Sequence, residues 1–159
     1  MARRTQYKPI NPNKYSGSYP ITLKSSWEET FARLYCDLNA SVIDWSYEPW
    51  RIPYRDPITG RQTIYIPDFL MSFQAHGKIK TALVEIKPLH ESLHEHARNA
   101  KDARQIDRNL AKWEAAISWC QRRGDVEFVV LTEAELFAGG QNIQPKRRRI
   151  TAKRRTKKI

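Results

Sequence analysis

Two strand-length runs, TIYIPDFLMSF (63–73) and IKTALVEIKP (79–88), are joined by the short turn sequence QAHGK. Both are mostly apolar, yet Asp68, Glu85 and Lys87 sit inside them. Charged side chains are seldom buried unless they are paired or bind a metal. A strand alternates its side chains with period two. Ala82, Val84 and Ile86 therefore share one face of the second run, while Leu83, Glu85 and Lys87 share the other. Asp68 lies on the preceding run, so its carboxylate meets that of Glu85 if the register agrees. Pro67 cannot donate to a ladder, which predicts an edge strand or a bulge there.

The segments around this pair fix the fold class. SSWEETFARLYCDLN (25–39) reads as a helix opened by a capping box, either Ser25 with Glu28 or Ser26 with Glu29. Trp27, Phe31, Leu34, Tyr35 and Leu38 form its apolar stripe, with Glu28 at the core boundary and Glu29 toward water. VIDWSYEPWRIPY reads as one or two short strands, and RDPITGRQ as a turn. In 99–123, Ala103, Ile106, Leu110, Trp113, Ile117 and Cys120 recur at helical spacing, and Gly124 suits the position after a helix end. VEFVVLT is a last strand, and Thr132 caps a short closing helix. The order predicts an α/β domain whose mixed sheet holds a meander of about three strands followed by a crossover through the long helix.

Charge divides the chain differently. Of 28 Lys and Arg, nine fall in 146–159 and five in 1–24, which leaves 14 against 17 carboxylates in 25–145. The expected organisation is an extended basic N-terminal arm (1–24), a folded domain (25–140) and a basic tail (141–159). The tail cations are Lys146, Arg147, Arg148, Arg149, Lys153, Arg154, Arg155, Lys157 and Lys158. Such a run is either a solubilising tail or a phosphate-binding arm, and the arm is preferred; its DNA affinity would fall steeply with salt. The tail lacks apolar anchors for a membrane, and no apolar run approaches the ~20 residues that span one. The N-terminal stretch lacks a secretory apolar segment, so the cytosol is the expected compartment. Cys36 and Cys120 are too few for a disulfide framework or a zinc ribbon and read as reduced and structural.

Two carboxylates, Asp68 and Glu85, with the backbone carbonyl of Ile86 make a hard oxygen site suited to Mg²⁺. Such an ion polarises a phosphodiester and acidifies water. Lys87 would orient the attacking water or stabilise charge growing on the phosphate. Glu28 could complete the metal site or hold its water. The bland alternative for Glu85 and Lys87 is a solvated strand face with an ion pair. Gln105 and Asn109 fall on the polar side of the long helix and read as ordinary surface residues. His90 and His94 are four apart, but the segment lacks the Glu placement of a zincin and, with His96, reads as a solvated helix start.

IPD followed by VEIKP resembles the PD-(D/E)XK nuclease superfamily. More narrowly, SSWEETFARLYCDLN, EPWRIPYRDPITGRQTIYIPDF, LVEIKP and LAKWEAAISWCQRRGDVEFVVLTEAEL resemble the phage head-completion nucleases. They are also similar to the endonuclease subunit of heteromeric cut-and-paste transposases. The resemblance spans about residues 20–137. It implies a restriction-endonuclease-like core, a central mixed sheet flanked by helices, and DNA hydrolysis with Mg²⁺, for which Mn²⁺ can substitute. Carried over, Glu28 is the helical carboxylate, Asp68 and Glu85 are the metal ligands, and Lys87 is the catalytic lysine. The resemblance also implies an auxiliary polar role for Gln105 and Asn109. Three roles follow. The first is an endonuclease that finishes DNA-filled heads, in the host bacterial cytoplasm or within the virion, with portal, neck or head proteins as partners. The second is a transposase cutting subunit, disfavoured because only about twenty residues follow Leu136 where such proteins carry a further DNA-binding domain. The third is a non-catalytic head or neck protein that binds DNA and portal. Symmetric double-strand cutting would favour a homodimer.

Overall fold

The structure is a computed structural model and describes residues 4–137; the basic tail cations at 146–158 lie outside them. A four-stranded mixed sheet organises the chain, in the order β3-β6-β7-β8. Its strands are β3 (Val42–Tyr47), β6 (Phe69–Ala75), β7 (Lys78–Ile86) and β8 (Val126–Leu131). The first three run antiparallel, and β8 returns parallel to β7 through the long helix α2 (Ala100–Arg123). This is the expected α/β plan. The β6–β7 turn is the two-residue pair His76–Gly77, both at positive φ (51° and 73°), the geometry that matches strand twist in a tight hairpin.

The period-two reading of β7 holds. Ala82, Val84 and Ile86 join one apolar cluster, with Phe69, Trp45 and Phe31. Leu83 joins the other, with Trp113, Tyr54 and Tyr65. Enclosing one side chain such as Leu83 contributes about 1.5–3 kcal/mol. The helical layer on the first face is α1 (Ser26–Thr30), which continues as a π-helical segment, Phe31–Asp37. On the second face lie α2 and a separate hairpin of β4 (Ile52–Arg55) and β5 (Gln62–Tyr65).

Four expectations change. The run 63–73 is not one edge strand: Pro67 breaks it into β5, which pairs with β4, and β6, which is an inner strand of the main sheet. Leu34 and Leu38 do not join the core stripe but are each 47% exposed. The π-helical segment is wider than 3.6 residues per turn, with Leu38 N–H reaching back to the Arg33 carbonyl, so the buried face becomes Phe31, Ala32, Tyr35 and Cys36. Residues 4–24 are not an extended arm. There β1 (Thr5–Tyr7) pairs with β2 (Ile21–Leu23), Ile21 and Leu23 are buried, and buried Asp37 accepts from Tyr7 Oη and from the Ile10 and Asn11 N–H groups at 2.6–2.8 Å. Asn109 is not on the polar side of α2 but fully buried, as described below.

The remaining signals behave as read. Ser25 caps α1, Gly124 closes α2 at φ 88°, and Thr132 with Glu135 forms a capping box on α3 (Glu133–Leu136). Cys36 and Cys120 are free and buried. Among the described residues, no helix is long and apolar enough to cross a membrane.

Candidate active site

The site forms where β7 ends. The β6–β7 register sets Phe69 opposite Val84, which places Asp68 beside Glu85. Because Pro67 ends the ladder, the Asp68 carboxylate takes over the next position and accepts the Ile86 N–H at 2.8 Å. Asp68 is also held from β3, since its carbonyl accepts the Glu48 N–H at 2.7 Å. Glu85 is buried, and Lys87 Nζ stands 3.6 Å from its Oε1. The Lys87 N–H continues the parallel ladder to Leu131, so backbone pairing fixes the strand that carries both residues. A strand residue sends its N–H and C=O to the same edge, so the Ile86 carbonyl lies on the Asp68 side.

Glu28 approaches from α1. Ser25 Oγ accepts the Glu28 N–H, which is half of the expected capping box. The other half is not made: Glu28 Oε2 accepts instead from the Lys24 N–H and from Tyr47 Oη. The carboxylate is thereby drawn off its own helix end toward the sheet. Lys24 forms an ion pair with Glu48, whose φ is +49°.

The electrostatics follow from crowding like charges in an enclosed place. Asp68 as a residue is half-buried, but its carboxyl is closed in. Its pKa is pushed well above the usual carboxylate range by burial first, then by Glu85 and Glu28. The Ile86 N–H and Lys87 oppose that shift. Burial also raises Glu85, against the pull of Lys87 and Tyr65. Adjacent carboxylates that resist ionising together fit a divalent cation, which removes their repulsion. Mg²⁺ is held by one or two carboxylates with waters and substrate oxygens rather than by a full protein cage. Among the described residues, no group of three His, Cys, Asp or Glu side chains closes around one point.

The sequence model of the TnsA-like endonuclease N-terminal domain matches residues 39–133, which include Asp68, Glu85 and Lys87 and exclude Glu28. The chain belongs to the TnsA-like endonuclease family. This endonuclease is also 30% identical to the head completion nuclease of Enterobacteria phage T4 over 148 residues, 88% of this chain and 97% of that protein. No solved structure matches it. Its α/β core, a mixed sheet with helices on both faces, is restriction-endonuclease-like.

Three residues around the candidate site were not legible in the sequence. Tyr65 Oη donates to Glu85 Oε2 at 2.7 Å, and burial pushes its own pKa up. Tyr47 holds Glu28 in the same way. Lys112 of α2 stands 5.8 Å from the Tyr65 ring centre. All three act across elements whose pairing no local pattern states. The expected auxiliary pair is arranged differently. Gln105 Nε2 donates to Asn109 Oδ1 at 3.0 Å, and Asn109 Nδ2 donates to the Glu91 carbonyl at 2.9 Å. Asn109 thus pins the loop after β7 to α2. His94 bonds exposed Asp107 at 2.9 Å, while His90 and His96 each face an adjacent glutamate, so the three histidines do not converge.

Proposed function

We propose that this endonuclease hydrolyses phosphodiester bonds of double-stranded DNA with Mg²⁺ as its cofactor. The observation that carries this is the meeting of Asp68 and Glu85 at adjacent strand ends, with Lys87 ion-paired beside them. Asp68, Glu85 and the Ile86 carbonyl would hold the ion, and Glu28 would stand at its edge. When bound, Mg²⁺ supplies Lewis-acid chemistry toward the phosphate and the attacking water. The chain's own part is positional. Lys87, fixed by the β8 ladder, would orient the water or offset charge that grows on the phosphate oxygens. Tyr65 and Tyr47 fix Glu85 and Glu28, so the reacting groups need little reorganisation.

The natural substrate in this reading is packaged DNA or a DNA end in a phage head. Support comes from the T4 relative, of which nearly the full length is matched. The nine cations of 146–159 would hold phosphates and keep the enzyme on the duplex. The protein would work in the host cytoplasm and travel with the head or its neck proteins.

A closed circular plasmid tests the reading. With Mg²⁺ or Mn²⁺ the full-length protein should nick or linearise it, and EDTA should stop the reaction. A folded protein that binds the plasmid yet leaves it closed under every metal condition would contradict it.

A further inference from the structure

α2 presents two cations four residues apart, Arg108 and Lys112, on the side that faces the β4–β5 hairpin. Their situations differ. Arg108 Nε is paired with Asp56 Oδ2 at 2.9 Å, which ties α2 to the hairpin turn. Lys112 is half-buried and forms no salt bridge among the described residues. Its Nζ lies 5.9 Å from the Tyr54 ring centre and 5.8 Å from that of Tyr65. The Tyr65 hydroxyl is the group that holds Glu85. The charged groups within reach of Lys112 are Lys87, Glu85, Arg108 and Asp56, and burial lowers its pKa.

Packing alone does not call for an ammonium here. Two aromatic faces return only about 0.5–2 kcal/mol to a cation, and a methionine would fill the same space without desolvating a charge. Of the two carboxylates within its reach, Asp56 is already paired with Arg108, which leaves Glu85, behind Tyr65, as the one its charge can serve. We infer that Lys112 is a positioning residue of the cleavage site: its stem braces the Tyr65 ring, and its charge balances Glu85 from the α2 side, across from Lys87 on β7. The inference rests on the metal-dependent reading above. With two cations flanking Glu85, the site would bind Mg²⁺ less tightly than its carboxylates alone would, which leaves part of the ion's charge for the substrate phosphate.

The test uses the full chain as Lys112→Met, Lys112→Arg and Glu85→Ala, with Mg²⁺ affinity measured calorimetrically and melting temperature read alongside. Met keeps the apolar stem and removes only the charge. Lys112→Met should bind Mg²⁺ roughly 3–10-fold more tightly than wild type, and Lys112→Arg should stay within about twofold. A Lys112→Met protein that melts like wild type and binds Mg²⁺ with unchanged affinity overturns the inference. Glu85→Ala separates the two levels. Loss of Mg²⁺ binding there upholds the metal reading whatever Lys112 does, and unchanged binding there removes both.

Discussion

Asp68→Asn should lose cleavage by at least about a thousandfold, keep most DNA binding, and melt at a higher temperature than wild type in EDTA. The amide oxygen can still accept the Ile86 N–H, so the junction of β6 and β7 survives. What disappears is a carboxylate enclosed beside Glu85 and Glu28. The sign follows from its raised pKa. Between the unfolded carboxylate value, about 3.9, and the higher native value, the folded state binds more protons than the unfolded one. Stability therefore falls as pH rises through that window, and above the unfolded value the enclosed Asp68 carboxyl is, without metal, a net cost. Removing it should return on the order of 1 kcal/mol, roughly 2–4 °C in melting temperature for a chain of this size. Mg²⁺ should raise the melting temperature of wild type and not that of the variant. Thermal melts in EDTA and in Mg²⁺, at pH 5 and pH 8, check all of this. A variant that melts lower than wild type in EDTA at pH 8 would show that Asp68 is a structural clasp rather than a strained ligand.

Asp37→Ala carries the largest expected loss of stability, roughly 3–5 kcal/mol. One fully buried carboxylate receives Tyr7 Oη, Ile10 N–H and Asn11 N–H. Alanine leaves these donors without an acceptor, and only the bonds of Asn11 and Lys14 to backbone carbonyls still tie the N-terminal segment to the end of the π-helical segment. Burial works against the charge of Asp37, but the three hydrogen bonds prevail and hold its pKa below the usual value. A depressed native pKa places its contribution above the unfolded value of about 3.9 and removes it as pH falls through the native one. The wild-type advantage over the variant should therefore be full at pH 7 and shrink in acid. Glu28 should feel the loss as well, because β2 runs through Lys24 and Ser25 directly into α1. Denaturant melts at pH 7 and pH 3 measure the first effect. Cleavage at a temperature where the variant is folded measures the second.

What the sequence disclosed was local. Alternation along ALVEIK placed Glu85 and Lys87 on one face, and the short turn at His76–Gly77 set the register that brings Asp68 beside them. Ser25, Gly124 and Thr132 marked helix ends because each cap is a contact within a few residues. The features that escaped depend on distant partners. Pro67 was visible as a ladder break, but not that β5 would leave for a second sheet while β6 entered the centre of the first. Asn109 looked like a surface residue because its partner, the Glu91 carbonyl, is supplied by the loop after β7. Leu34 and Leu38 were assigned by an α-helical period that the π-helical winding does not keep. Asp37 gave no sign that it organises the N-terminal strands, since its ligands come from 26 to 30 residues away. Tyr65 and Lys112 reach the site only through the packing of α2 and the hairpin on one face of the sheet.

The central claim is that the end of β7 cuts DNA, and Lys87→Ala tests it most directly. Lys87 is half-exposed and held by a backbone bond that alanine keeps, so the variant should fold and bind Mg²⁺. The measurement is nicking of supercoiled plasmid in Mg²⁺ by wild type and Lys87→Ala side by side, with plasmid binding measured in the same buffer. The account predicts metal-dependent nicking by wild type and a loss of at least about a hundredfold in the variant at nearly unchanged binding. A Lys87→Ala protein that nicks as fast as wild type would place the chemistry somewhere other than the VEIK strand.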